Sequence, residues 1–212
     1  MRHRNVKDAY KRLELHQSVI QSPIEHKGKW RKLFNNNNPI HIEIGMGKGK
    51  FLIELAQKNP HINYIGFEKF SAVLAKALEK IDQQEALNNL LIIREDAEKL
   101  CEFFDKNELD RLYLNFSDPW PKERHAKRRL TYISFLKQYA FVLKKESGII
   151  FKTDNLKLFE FSVNQMKEFG CEIKNVSYDL QNSHFAQENI MTEYETKFVK
   201  QGLKIYLVNA TV

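Results

Sequence analysis

Acidic side chains close a succession of short apolar runs in this chain. Glu43 stands in Ile40-His41-Ile42-Glu43-Ile44, and Glu68 follows Asn63-Tyr64-Ile65-Gly66-Phe67, 25 residues later. Asp96 follows Leu90-Leu91-Ile92-Ile93, in Arg94-Glu95-Asp96-Ala97. Directly after the first run comes Gly45-Met46-Gly47-Lys48-Gly49, which places three of the chain's eight glycines within five residues. Glycine there lets the backbone turn sharply and lets a ligand approach without a Cβ in the way. A carboxylate at the end of a strand can accept hydrogen bonds from ribose hydroxyls, and one after the next strand can accept from an exocyclic adenine amine. Taken singly, each acid reads equally as a helix N-cap or a surface charge, and the glycines as a tight turn. The three acids in succession point to a nucleoside.

The charge of that nucleoside follows from the same residues. The glycine spacing is G-x-G-x-G with Lys50 next, so it is neither a G-x-G-x-x-G fingerprint nor a P-loop. Three carboxylates repel phosphates, which call for backbone donors and compensating cations. A nucleoside without phosphate and with a positive charge fits better. S-adenosylmethionine is such a ligand, and Glu43 near its sulfonium or amino group is attractive.

A second set of residues suits the reacting partner. Asn115-Phe116-Ser117-Asp118-Pro119-Trp120-Pro121-Lys122 holds two of the five prolines and one of the two tryptophans. Prolines on both sides of Trp120 stiffen the loop. The indole can stack on a base while Asp118 faces its edge. The plainer reading, a rigid connection with a half-buried Trp, leaves Asp118 unexplained. Lys122-Glu123-Arg124-His125-Ala126-Lys127-Arg128-Arg129 follows, five cations against one carboxylate. Beside the acid loop this run reads as a phosphate track, although a solvated helix start has the same composition. His125 is read there as a polar neighbour of phosphate.

These residues need elements to position them. The apolar runs at 40–44, 63–67, 90–93, 111–116 and 148–152 read as strands, and 172–180 and 203–208 as two more. Helical spacing recurs at Phe51–Ala56, Val73–Ile81, near 97–104, near 129–143 and from Leu156 to Met166. Alternating strands and helices predict an α/β fold, a mostly parallel sheet with helices on both faces. In such sheets ligands sit beyond the carboxyl ends of the strands, where the acids and glycines fall. Residues 1–34 read as an N-terminal basic arm, with Arg2, Arg4, Lys7, Lys11 and Arg12 against Asp8, and 35–212 as one catalytic domain.

Composition bounds the rest. With 212 residues, 42% hydrophobic and 29% charged, the chain is an ordinary globular protein. No run of 18 apolar residues exists to span a membrane, and no apolar segment follows the basic start. Cys101 and Cys171 lie 70 residues apart without paired ligands, so a metal site is not expected and two thiols in a cytoplasmic setting are. Lys and Arg exceed Asp and Glu, 34 to 27, and the clustering of that excess points to an anionic partner.

Glu43-Ile44-Gly45-Met46-Gly47-Lys48-Gly49, the Asn115–Lys122 loop with Arg124-His125, Lys152-Thr153-Asp154-Asn155 and Thr192-Glu193-Tyr194-Glu195 together resemble the bacterial tRNA (guanine-N7-)-methyltransferase family, in order and over about residues 25–208. The resemblance implies the Rossmann-like class I methyltransferase fold, seven strands with the last antiparallel. It implies S-adenosylmethionine held by Glu43, Gly45, Gly47, Gly49, Glu68, Asp96, Ala97 and Asp118. It implies a substrate guanine, at position 46 of the tRNA variable loop, met by Lys122, Asp154, Thr192, Glu193, Tyr194 and Glu195. RNA would lie along Arg124, His125, Lys127, Arg128 and Arg129, and Asp118 would serve the reaction. No metal and no membrane partner is implied, and the chain would act as a monomer or homodimer.

Guanine N7 carries an in-plane lone pair and no proton, so methylating it calls for positioning and charge balance rather than a base. Two other readings stand beside this one. Asp118-Pro119-Trp120 is similar to the Asp-Pro-Pro-aromatic loop of enzymes that methylate an exocyclic adenine amine, but the second proline follows Trp120 and Thr192–Glu195 is extra. A catalytically silent RNA-binding protein would not need the full acid set.

Overall fold

The computed structural model describes residues 6–212, with side chains from residue 11 onward. Arg2, Arg4 and the Lys7 side chain, expected in the basic arm, lie outside these described residues. The chain forms two units, one ending at Asp105 and one starting at Lys106.

The first unit runs α1 (Val6–Leu15), β1 (Val19–Ile20), α2 (Trp30–Leu33), β2 (Ile40–Ile44), α3 (Lys50–Lys58), β3 (Asn63–Phe67), α4 (Ser71–Ile81), β4 (Leu90–Ile93) and α5 (Leu100–Phe103). Its strands pair in parallel in the order β1, β4, β3, β2. Every residue of β2 and β3 is buried, the pattern of parallel strands covered on both faces. Leu52, Leu74 and Leu78 from α3 and α4 are fully buried against them, as the helical spacing predicts. The early residues join this core. Leu13 is buried in it, Trp30 is fully buried with its indole donating to the Phe103 carbonyl at 2.9 Å, and Arg12 donates to Asp82 at 2.6 Å. Eight strands stand among the described residues where seven were expected. The addition is β1, two residues long and too short to leave a periodic signature.

The second unit runs β5 (Leu109–Asn115), α6 (Ile133–Val142), β6 (Leu143–Thr153), α7 (Leu156–Phe169), β7 (Glu172–Ser177), α8 (Glu193–Val199) and β8 (Tyr206–Thr211). β5 pairs β6 in parallel, while β8 lies antiparallel between β6 and β7. The expected strand at 148–152 already begins at Leu143, because α6 passes into β6 without a loop. The expected strand at 203–208 starts at Tyr206 instead, and α8 had no counterpart in the periodicity.

Among the described residues no helix is long and apolar enough to cross a membrane. Neither cysteine is in a disulfide; Cys171 is buried and Cys101 half-buried, and burial pushes both thiols up from their ordinary range.

Candidate functional site

In the first unit the glycine loop continues directly from β2. Gly45, Gly47 and Gly49 all adopt left-handed φ, +77°, +57° and +78°. At Gly45 and Gly47 a Cβ would meet nothing within 4 Å, so the backbone conformation, not crowding, selects glycine, and the space beside the turn is open. The loop amides point inward. Gly45 and Met46 donate to the Phe67 carbonyl at 2.8 and 2.9 Å, Gly47 donates to Glu68 Oε2 at 3.2 Å, and Gly49 donates to the Met46 carbonyl at 3.0 Å. With these four donors engaged inside the protein, the loop is not an anion nest. That agrees with a ligand that brings no phosphate.

The acids of this unit have distinct surroundings. Glu43 is 1% exposed at the end of β2. Glu68 is half-buried and bridges the loop to α4: its other oxygen accepts from the Phe70 amide at 3.0 Å. Asp96 caps the short 3-10 turn at Ala97, accepting from the Glu98 amide at 3.1 Å, with Lys69 at 3.4 Å from its second oxygen. The capping role weighed for this acid is therefore real, and Ala97 beside it is buried.

In the second unit, the loop after β5 is strained. Phe116 has φ +54° and Trp120 φ +42°. Bulky residues in this region cost about 1–3 kcal/mol each, and Trp120 also precedes a proline, which narrows its choices further. Asp118 and Lys122 are exposed on this loop. The loop is held from its C-terminal side. Arg129 Nε donates to the Pro119 carbonyl at 3.1 Å and an Nη donates to the Trp120 carbonyl at 3.0 Å. The Arg129 guanidinium lies 4.3 Å from the Phe161 ring centre, the Arg128 guanidinium lies 4.8 Å from that of Trp120, and His125 meets Trp120 edge-on at 5.8 Å. Residues 123–128 form a 3-10 turn that leaves Arg124, Lys127 and Arg128 exposed. Arg129, the last cation of the run, is engaged with the loop.

The segment 192–195 opens α8. Thr192 caps α8, its hydroxyl accepting from the Glu195 amide at 2.9 Å. Glu195 is fully buried. Its Oε2 accepts from Lys152 Nζ at 2.8 Å, and its Oε1 accepts from Asn189 at 2.6 Å and Gln181 at 3.2 Å. Lys152 donates further to Asn189 Oδ1 at 2.9 Å and the Ile190 carbonyl at 3.0 Å. The Glu195 carboxylate thus compensates a lysine buried at the end of β6. Tyr194, by contrast, is 46% exposed, its ring 5.0 Å from Phe116 and 4.2 Å from Phe198. Burial pushes its phenol up, and the negative charge of Asp154 adds to the shift.

The second unit thus gathers the Asp118 loop, Phe116, Tyr194 and Asp154, while Thr192 and Glu195 sit behind them. Sequence reasoning quoted Lys152 without assigning it a role and missed Asn189 and Gln181. A lysine closing the apolar run Gly148–Phe151 was one available signal, and Thr192-x-x-Glu195, a capping-box spacing, was another.

A family described as "Putative methyltransferase" matches residues 37–208. A tRNA (guanine-N(7)-)-methyltransferase of Bacillus cytotoxicus is 56% identical over 197 residues, 93% of this chain and 90% of that one. A protein of the same name from Lachnoclostridium phytofermentans is 49% identical over 206 residues, 97% of this chain and 96% of that one. Among solved structures, an antibiotic-related methyltransferase matches with TM-score 0.65 at 19% identity, covering 87% of this chain and 94% of its own. A SAM-dependent methyltransferase from Aquifex aeolicus matches with TM-score 0.56 at 14% identity, covering 99% and 100%. At such identities the likeness shows the fold, the Rossmann-like class I arrangement with antiparallel final strands.

Proposed function

Because the chain belongs to the tRNA (guanine-N(7)-)-methyltransferase family, we propose that it methylates N7 of the guanine at position 46, in the variable loop of tRNA, without a general base. The observation that supports this most directly is the segment from Asn115 to Arg129, where the exposed Asp118 carboxylate and five basic side chains lie on one loop and the turn that follows it. Residues 35–212 carry the catalytic machinery in this reading, and the proposed setting is the cytoplasm.

When bound, S-adenosylmethionine supplies a methyl group on a positively charged sulfur and leaves as the neutral thioether. The residues of the first unit fit it. The open space beside Gly45 and Gly47 leaves room for a ligand, and the inward amides offer nothing to a phosphate. Glu43, Glu68 and Asp96 would hold it, as acceptors for hydroxyl, amine and positive charge.

Guanine N7 has a lone pair and no proton, so nothing has to be removed before the new bond forms. The purine becomes a cation as it is methylated. Asp118 and Asp154 are the carboxylates assigned to balance that charge and to accept from the guanine N1–H and N2–H groups. Tyr194, supported by Phe116 and Phe198, offers a face for stacking. Lys122 is assigned to the substrate and Arg124, Lys127 and Arg128 to phosphates.

The test is a transcribed tRNA treated with the protein and S-adenosylmethionine, then cleaved chemically at N7-methylguanine. Cleavage at position 46, absent when that guanine is replaced by adenine, is expected. Cleavage at other guanines overturns the position, and methylated adenine without cleavage overturns the chemistry.

A further inference from the structure

The basic run after the Trp120 loop carries two different jobs. Arg124, Lys127 and Arg128 are exposed, whereas Arg129 is half-buried and its guanidinium is already committed. Its Nε and Nη donors reach two successive carbonyls, those of Pro119 and Trp120, which immediately follow Asp118. Its guanidinium carbon lies 4.3 Å from the centre of the Phe161 ring in α7. A planar fork with fixed donor directions suits two adjacent carbonyls, whereas a lysine ammonium is a point donor on a flexible stem. The loop so held is strained at Phe116 and Trp120. A strained turn persists only where surrounding contacts over-determine it.

We propose that Arg129 is a positioning residue for the reaction: its guanidinium, braced on Phe161, clamps the Pro119 and Trp120 carbonyls and so fixes the loop that presents Asp118. Phosphate engagement then falls to Arg124, Lys127 and Arg128. This assignment rests on the methyltransferase reading for its kinetic consequence, though not for the clamp itself.

Two measurements on Arg129→Lys, Arg129→Ala and Phe161→Leu test it. The first is independent of catalysis. Trp30 is fully buried, so acrylamide quenching of tryptophan fluorescence reports mainly on Trp120. Both Arg129 variants are expected to quench more readily than wild type, and unchanged quenching overturns the clamp. The second is the single-turnover methylation rate at saturating tRNA and S-adenosylmethionine. A loop displaced by about 1 Å costs up to about a hundredfold, so Arg129→Lys is expected to lose about ten- to a hundredfold despite keeping its charge. The slope of log K against log salt for tRNA binding should stay at the wild-type value. Phe161→Leu should lose a smaller factor in the same rate. A wild-type rate in Arg129→Lys, or a salt slope lower by about 0.7–0.9 in Arg129→Ala, as one lost phosphate contact gives, overturns the inference. If Arg129→Ala does not fold, Arg129→Lys and Phe161→Leu decide by the same criteria. Wild-type protein that makes no N7-methylguanine overturns the functional reading alone, since quenching still judges the clamp.

Discussion

Lys152 and Glu195 form an ion pair at 2.8 Å with side chains only 2% and 0% exposed. The pair ties the end of β6, two residues before Asp154, to the first turn of α8, which carries Tyr194. A buried pair of this kind contributes little over a well-packed apolar pair, yet breaking it strands a charge.

Lys152→Met is therefore expected to cost about 3–5 kcal/mol by leaving the Glu195 carboxylate uncompensated. Urea unfolding measures it. The double variant Lys152→Met, Glu195→Leu should recover much of the loss, because the two sites are in direct contact and their effects do not add. A single variant within about 1 kcal/mol of wild type would contradict the pairing.

Asp154 and Tyr194 are coupled electrostatically. The Tyr194 phenol is raised first by burial and second by the Asp154 charge. Asp154→Asn should bring the phenol part of the way back toward its ordinary value, with the burial contribution remaining. Difference absorbance titration, with Tyr194→Phe identifying the signal, checks this. No change in the Tyr194 midpoint would place Asp154 too far away to act on the same substrate face.

Two glycines of the first unit should fail for different reasons. A Cβ at Gly47 meets open space but requires a left-handed residue, so Gly47→Ala should cost about 1–2 kcal/mol and Gly47→Asn less. A Cβ at Gly66 would stand 2.2 Å from Met46 Sδ and 2.9 Å from Leu52 Cδ2. Gly66→Ala should cost about 1–3 kcal/mol through overpacking, and Met46→Ala should restore part of it. Equal responses to Met46→Ala at both positions would refute the distinction.

Asp118→Ala should lower the single-turnover methylation rate by about a hundredfold or more, the scale of losing one charge-stabilising group. Its affinity for tRNA should stay close to wild type, since the exposed cations carry that binding. A wild-type rate in this variant would show that Asp118 has no part in the reaction.

Much of this arrangement was legible in the residues. β2, β3 and β4 are short, largely apolar runs, and their bounds match the structure residue for residue. The glycine loop and the Asp118 loop announced themselves through rare residue types at close spacing. The edge strand β1 was hidden because two residues carry no period, and the start of β6 because α6 enters it without a turn. Glu195 and Arg129 show the harder limit. A carboxylate beside a tyrosine and an arginine in a basic run give no local sign of the tertiary partners that hold them. Lys152 lies 43 residues before Glu195 in the chain, and no local pattern links them.

The most direct test incubates the protein with unmodified tRNA and methyl-tritiated S-adenosylmethionine, then separates the nucleosides of the product. Expected is radioactivity in N7-methylguanosine and in no other nucleoside. Label in a methylated adenosine, or tRNA that binds and stays unlabelled, would contradict the assignment.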